Sequence, residues 1–543
     1  RAMCKTTTGC QNAAVGTNVM RENTTGDLNT AIGYRALDAN TTADRNTAVG
    51  ADALAANTTG AGNTAVGNLA LDANTTANDN TAVGRCALTT NITGANNVAV
   101  GAYSLRDNTG SDNVAVGAGS ALLTTGGCNV SVGSNSLKCN TSGGDNVAVG
   151  FESLKSNTTA SNNTAIGICS LCANTTGADN TAVGRKSLDG NTTGNSNVAV
   201  GLHGLFNNTT GCNNTALGAC SLFNNSTACG NTAVGFCSMK ANTTGYENVA
   251  VGFCALVANT TGHQNTAVGN QAFKTATTAE HSTAIGYKAL ELTTTADCNT
   301  AIGACALQAN TTGGDNTAIG AQALDNNTTA SNNTAVGMFA LCATTTGCQN
   351  TAVGKNALKV NTTGDLNTAM GRQALQGNTT ADHNTAFGAC SLLANTTGGD
   401  NVAVGAFSLD ANQTGNCNVA IGRSALSTST MGNQTAVGAC ALFTNTTGFA
   451  NTAIGYFASK LLTTACYTTS LGREALEANT TGNSNTAIGH QSLTANTTGA
   501  CNVAVGVSSL LANTTGGNNV AIGSFALDAN TTGAPNVAMG VNA

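Results

Sequence analysis

Residues 29–45 read NTAIGYRALDANTTADR, residues 46–62 read NTAVGADALAANTTGAG, and residues 485–501 read NTAIGHQSLTANTTGAC. Consecutive copies open 17 residues apart, except for the copies that open at Asn97, Asn113 and Asn418, which are one residue shorter, and the motif recurs from one end of the chain to the other. A fixed period over a whole chain is typical of repeat architectures in which each unit contacts its neighbours. The pattern therefore predicts one stacked object rather than several globular domains.

The composition limits what this stack can contain and bind. Charged residues are 8% of the 543 residues and aromatic residues 3%, so the core has to be thin and built mainly from Val, Leu and Ala. The net charge of −6 is small and no basic face is evident, which makes nucleic acid and anionic membranes poor partners. No apolar run approaches the roughly 18 residues that a membrane span needs, so no membrane-spanning segment is expected.

Positions 1 to 5 of the unit, numbered from its opening asparagine, alternate in the manner of a short β-strand. Position 2 is Thr or Val, position 3 is usually Ala, position 4 is usually Val or Ile, and position 5 is Gly. Positions 2 and 4 share one face of such a strand, and we expect the position-4 side chains to lie inside. The first of them are Val15, Ile32, Val49, Val66, Val83 and Val100.

Position 9 gives a second apolar row, and we expect a second short strand around it to face the first. Its first members are Met20, Leu37, Leu54, Leu71, Leu88 and Leu105. A strand–helix–strand unit needs about 30 residues, and the Gly, Asn and Thr content disfavours helix. The sequence thus predicts an all-β fold, a parallel β-solenoid (β-roll) with one 17-residue repeat per coil and about 32 coils. We expect residues 1–543 to form a single continuous solenoid domain that is uncapped at both ends.

The asparagines at positions 1 and 12 are candidates for amide ladders, because identical residues would stack at the coil spacing of about 4.8 Å. Position 12 also opens Asn-Thr-Thr acceptor sites for N-glycosylation, as at Asn23, Asn40 and Asn57. Where the asparagine is lost, as at Ala276, both threonines persist. The threonines therefore have a structural role, which favours the ladder; sparse glycan occupancy is the alternative.

The 21 cysteines suit an oxidising, extracellular or cell-surface setting. Stacking at about 4.8 Å lies within the Cα range of a disulfide, so cysteines in one column could be bridged between coils. The candidates are Cys212 with Cys229, the column Cys220, Cys237 and Cys254, and, near the two ends of the chain, Cys4, Cys10 and Cys501. Cys169 and Cys172 have metal-ligand spacing, but no second pair with His is close in sequence, so no metal site is predicted.

No catalytic constellation is evident. The five histidines are at variable positions of separate coils, without a Ser, Cys or carboxylate partner at a useful spacing. The glycine-rich stretches have neither the Lys-Ser/Thr of a phosphate-binding loop nor the helix that follows one. The sequence predicts no enzyme and no cofactor.

The core motif resembles the head repeat of trimeric autotransporter (YadA-like) adhesins, and similar NTAVGxxAL text is found in phage tail-fibre and large surface proteins. The stretch Asn418–Gly422, NVAIG, followed by Arg423-Ser424-Ala425, is one instance; Asn248–Gly252, NVAVG, is another. The resemblance implies a β-roll with one repeat per coil on a bacterial surface. It covers the whole chain, but the repeat here is longer and richer in cysteine.

We expect a structural role in an extracellular filament. The chain opens at unit position 7 and closes at position 8, so its two part-coils complement one another. Such ends favour a head-to-tail contact between copies that does not close, with the chain itself as partner and lateral contacts through surface cysteines.

Two other functions fit the repeat. A cell-surface adhesin, shaft or head, would bind a partner through the outer face of the solenoid. An ice-binding protein would use the threonine columns at positions 13 and 14, such as Thr24-Thr25 stacked on Thr41-Thr42.

Overall fold

The computed structural model describes residues 2–543, which fall into two compact units, residues 2–270 and residues 271–543. Each unit is a parallel β-solenoid, which confirms the predicted fold class. Within residues 2–543, no helix is long and apolar enough to cross a bilayer.

Each coil contributes one strand of three residues. In the first unit the strands are β1 Ala13–Val15, β2 Thr30–Ile32, β3 Thr47–Val49, β4 Thr64–Val66, β5 Thr81–Val83, β6 Val98–Val100, β7 Val114–Val116, β8 Val130–Val132, β9 Val147–Val149, β10 Thr164–Ile166, β11 Thr181–Val183, β12 Val198–Val200, β13 Thr215–Leu217, β14 Thr232–Val234, β15 Val249–Val251 and β16 Thr266–Val268. In the second unit they are β17 Thr283–Ile285, β18 Thr300–Ile302, β19 Thr317–Ile319, β20 Thr334–Val336, β21 Thr351–Val353, β22 Thr368–Met370, β23 Thr385–Phe387, β24 Val402–Val404, β25 Val419–Ile421, β26 Thr435–Val437, β27 Thr452–Ile454, β28 Thr469–Leu471, β29 Thr486–Ile488, β30 Val503–Val505, β31 Val520–Ile522 and β32 Val537–Met539.

Consecutive strands pair in parallel, and each residue faces the residue of the same unit position in the next coil. Between β18 and β19, for example, Thr300 faces Thr317 and Ala301 faces Ala318. A shift of one residue would turn the buried alanines outward, so the side-chain alternation fixes the register. Each unit is therefore a stack in which residues of the same unit position lie next to one another.

The predicted second strand around position 9 is wrong, because this segment forms a turn. Leu37, at position 9, has a φ of 55°, in the left-handed region, and its N–H donates to the carbonyl of Ala53 in the next coil at 2.9 Å. A left-handed residue other than glycine costs roughly 1–2 kcal/mol. Burial of the leucine side chain contributes about 1.5–3 kcal/mol, which offsets that strain.

The predicted facing of the strand is also wrong. Alanine at position 3 is the buried residue, as at Ala31, which is fully buried, whereas the position-4 side chains face outward. Val15, Ile32, Val66, Val83 and Val100 are 61, 42, 36, 37 and 37% exposed, and Val49 is partly exposed. Position 9 is buried as predicted.

The interior of a coil has room for one large side chain. The packed core of the second unit includes Ala475 and Leu476, at positions 8 and 9, with Ala487 at position 3 of the next coil. Where Gly204 stands at position 8, a Cβ would lie 3.6 Å from the Cβ of Ala199 at position 3. Positions 3 and 8 are therefore already in contact through their β-carbons, and valine at position 3 would not fit.

This facing predicts opposite costs for two neighbouring substitutions in β19. Ala318→Val adds two methyl groups to the fully buried position and is expected to destabilise the second unit by about 1–3 kcal/mol through overpacking. Ile319→Thr changes a side chain that is 39% exposed and is expected to cost less than about 1 kcal/mol. Urea denaturation midpoints of the two variants test this. A larger loss of stability for Ile319→Thr than for Ala318→Val would contradict the facing of the strand described above.

Candidate functional site: asparagine columns and the outer strip

The position-1 asparagines close each coil and join it to the next. The Nδ2 of Asn316 donates to the carbonyl of Ala330, fourteen residues later in the same coil, at 2.8 Å. Its Oδ1 accepts from the backbone N–H of Asn333, the equivalent residue one coil on, at 3.0 Å. The side chain is fully buried, so each amide satisfies two backbone groups that water cannot reach.

The position-12 asparagines form the predicted amide ladder. The Nδ2 of Asn40 donates to the Oδ1 of Asn23 in the preceding coil at 2.8 Å and to the carbonyl of Ala43 at 3.0 Å. Asn57 repeats the pattern, with its Nδ2 3.2 Å from the Oδ1 of Asn40. Both columns therefore lie inside the coil, where they replace apolar core with paired polar groups.

This burial bears directly on Asn23, Asn40 and Asn57 as glycosylation acceptors. All three side chains are fully buried, and the Nδ2 atom that would carry a sugar donates a hydrogen bond to the carbonyl of the residue three positions later. A glycan on this atom would require the coil to open. The geometry supports the structural role of these residues.

The threonines at position 13 have a separate task, which explains why they persist where the asparagine is absent. The Oγ1 of Thr24 donates to the carbonyl of Thr41, the same position one coil on, at 2.9 Å. Thr463, which follows Leu462 in place of asparagine, makes the same bond to Thr480 at 3.0 Å. The hydroxyl protons of this column are thus committed to the stack rather than to an ice surface.

Side chains at positions 7 and 10 lie together on the outside of the coil in both units, and we call this surface the 7/10 strip. Within one coil, Lys155 at position 10 contacts Glu152 at position 7 with 2.8 Å between Nζ and Oε1. Between coils, the Nε2 of Gln308 donates to the Oε2 of Glu291, both at position 10, at 2.7 Å. The strip therefore brings variable side chains together from within one coil and from the next.

Several carboxylates at position 10 of the strip are half-buried. Burial raises the pKa of Asp72, Asp189, Asp325 and Asp410 above the usual range of an aspartate. The strip is therefore a surface on which a nearby cation gains from neutralising charge.

The cysteines predicted as disulfide candidates differ in spacing and burial. The Sγ atoms of Cys212 and Cys229 lie 2.7 Å apart, so the structure brings this predicted pair together. Cys237 is buried. Its burial and, to a smaller extent, the negative charge of its neighbour Cys220 raise the pKa of its thiol. Cys4, Cys10 and Cys501 are exposed.

Sequence reasoning missed the role of position 16. The Oδ1 of Asp44 accepts from the N–H of Asp27 one coil earlier at 2.7 Å, and the Oδ1 of Asn78 accepts from the N–H of Ala61 at 2.8 Å. The signal was present in the recurrence of Asp, Asn, Ser and Cys at this position.

An open groove of about 470 Å³ interrupts the strip in the first unit where Gly119 occupies position 7. Tyr103, Arg106 and Lys138 line it, and Arg106 is paired with Asp107. Its rim combines an aromatic ring with two cations.

Comparison of the chain with models of protein families and with curated proteins found no match. The architecture, a parallel β-solenoid with a 17-residue repeat, is compatible with the repeats of surface adhesins.

Proposed function

We propose that this protein is a structural subunit of an extracellular filament and that copies assemble head to tail. The observation that carries the proposal is the like-on-like contact between coils: Thr300 faces Thr317, Ala301 faces Ala318 and Ile302 faces Ile319. Because both faces of a coil follow the same pattern, a coil of one copy complements a coil of another as well as it complements its own neighbour. Such a heterologous contact does not close and generates filaments.

The last strand offers the surface for this contact. β32 pairs with β31, and the side chains of Val537 and Met539 are 70% and 69% exposed, against 39% for Ile319 within the stack. Within each unit the N–H of position 2 donates to the position-1 carbonyl of the next coil, as Val520 does to Asn536 at 2.8 Å. The N–H of Val537 would make this bond to Asn12 of a second copy. A strand edge that no further coil of its own chain covers is a template for another chain.

The extracellular setting is supported by the cysteine content and by the resemblance to surface-adhesin repeats. Twenty-one cysteines in one chain are typical of oxidising compartments. The exposed thiols of Cys4, Cys10 and Cys501 lie near the two ends, where bonds between copies would strengthen the contact.

The proposal predicts that Val537→Pro blocks elongation. Proline removes the N–H that would donate to the next copy, while the bonds from β31 to β32 use other atoms. Val537→Thr is the matched control, because it keeps the N–H and is the common alternative at position 2. Negative-stain electron microscopy across a concentration series should show filaments for the wild type and Val537→Thr and short particles for Val537→Pro. Short particles of one length for the wild type at the highest concentration would contradict the proposal.

A surface adhesin is the second candidate, and the groove at Gly119 is the observation that favours it. Its aromatic and cationic rim, formed by Tyr103, Arg106 and Lys138, suits an anionic or sugar-like partner. Val537→Pro lies far along the chain from this groove, so adhesion that survives the variant would separate binding from assembly.

A further inference from the structure

We propose that Glu152, Cys169 and Cys172 form a binding site for a thiophilic divalent cation of the zinc class. The carboxylate oxygen and the two Sγ atoms all lie within 4.8 Å of one another, and the three residues are half-buried. Within residues 2–543, this is the one group of three or more His, Cys, Asp or Glu residues with ligand atoms so close together. The inference goes beyond the proposed filament role and stands independently of it.

The repeat itself assembles the three ligands. Glu152 and Cys169 occupy position 7 of consecutive coils, 17 residues apart, and Cys172 occupies position 10 of the second coil. The N–H of Cys169 donates to the carbonyl of Phe151 at 2.9 Å, which fixes the two coils to each other beside the site. The contact between positions 7 and 10 is the one that Lys155 and Glu152 make in the coil before. A metal bound here would therefore join two coils across the 7/10 strip.

The donor set suits zinc. Two thiolates and one carboxylate are ligands that Zn²⁺ takes at about 2.3 Å for sulfur and about 2.0–2.2 Å for oxygen. Tetrahedral ligands at such distances lie roughly 3.4–3.8 Å apart, so ligand atoms that are now up to 4.8 Å apart have to approach one another by no more than about 1.4 Å. Three protein ligands leave the fourth position to water or to Asp189, which is at position 10 of the following coil.

The electrostatics of the cluster also favour a cation. Burial and, to a smaller extent, the negative charges of Cys169, Asp189 and Glu152 together raise the pKa of the Cys172 thiol to about 11. A bound metal reverses these effects, because it stabilises the thiolate and neutralises the surrounding charge. Lys155 donates to Oε1 of Glu152 at 2.8 Å, which is the contact of an outer partner that orients a carboxylate ligand.

The test is a Co²⁺ titration of the full chain kept reduced with a phosphine, for the wild type, Cys172→Ser, Glu152→Gln and Cys342→Ser. Cys342 is the matched control, since it also occupies position 10 and is half-buried, with Phe339 rather than a cysteine at position 7 of its coil. We expect the wild type and Cys342→Ser to bind one more equivalent than Cys172→Ser, with a thiolate-to-cobalt charge-transfer band. Glu152→Gln should weaken this equivalent at least about tenfold.

Circular dichroism of each variant shows whether the solenoid is intact. Equal stoichiometry and equal charge-transfer absorption for the wild type and a folded Cys172→Ser would overturn the proposal. So would a cobalt site in the wild type that lacks the thiolate band.

Discussion

Gly303→Ala is expected to destabilise the second unit by at least about 3 kcal/mol. Gly303 has a φ of +138°, a conformation that side chains other than glycine rarely adopt. A Cβ built there would lie 2.6 Å from both the carbonyl carbon and the oxygen of Gly320 in the next coil. Both atoms belong to the backbone, so relief requires the coils to separate. Strain of this kind costs of order 1–3 kcal/mol before the steric clash is counted.

The same coil contains a matched control. In Gly314→Ala the new Cβ would lie 3.3 Å from the carbonyl oxygen of Asp297, a tight contact but not an impossible one. This variant is expected to lie within about 1 kcal/mol of the wild type. Because long repeat stacks unfold in parts, the denaturation midpoint should be accompanied by amide exchange of residues 299–315. Equal exchange and equal midpoints for the two variants would show that position 5 does not need glycine.

Asn316→Ala is expected to cost about 2–5 kcal/mol. The substitution leaves the N–H of Asn333 buried without its partner, and the carbonyl of Ala330 keeps only the Nδ2 of Asn327 as a donor. The unsatisfied buried N–H costs about 1–3 kcal/mol, and the lost bond to Ala330 and the void left by the smaller side chain add to that cost. Asn326→Ala, at an exposed position of the same coil, should change the stability by no more than about 0.5 kcal/mol. Denaturation midpoints of both variants are the measurement.

Asn316→Asp tests the hydrogen bond that this side chain donates separately from the one that it accepts. Aspartate can still accept from the N–H of Asn333, but when ionised it cannot donate to the carbonyl of Ala330 and places a charge in the interior. We expect this variant at neutral pH to be destabilised at least as much as Asn316→Ala. Wild-type stability for Asn316→Asp would mean that the hydrogen bond to Ala330 contributes nothing.

The period, the fold class and the asparagine ladder could be predicted because each depends on identity at a fixed spacing. The facing of the strand could not. Alternation gives two faces, and the apolar character of Ile319 argued for placing it inside. The volume within a 17-residue coil decides the facing of the strand instead. It is large enough for Ala318, which is fully buried, but not for Ile319.

One coil shows how that volume is shared. Ser459 occupies position 9 in place of leucine, and Leu462 occupies position 12 in place of asparagine; both are fully buried. The large side chain and the polar one have exchanged places, and the Oγ of Ser459 lies 2.9 Å from the Oγ of Ser470. Positions 9 and 12 therefore contribute to one interior. This exchange was visible in the sequence, although its meaning depended on knowing that both positions are inside.

The candidate metal cluster was missed for a different reason. A search for a second Cys pair close in sequence overlooks Glu152, which is 17 residues before Cys169 and next to it in space. In a solenoid, neighbours in space are found by adding the period rather than by reading along the chain. Applied from the start, that step would have placed the three ligands in one strip.

The most direct test of this account is an experimental density map of either unit at side-chain resolution. It should show columns of like residues about 4.8 Å apart, with the amides of positions 1 and 12 and the alanine of position 3 inside and the Val or Ile of position 4 facing solvent. Coils offset from one another by a residue, or position-4 side chains pointing into the interior, would contradict it.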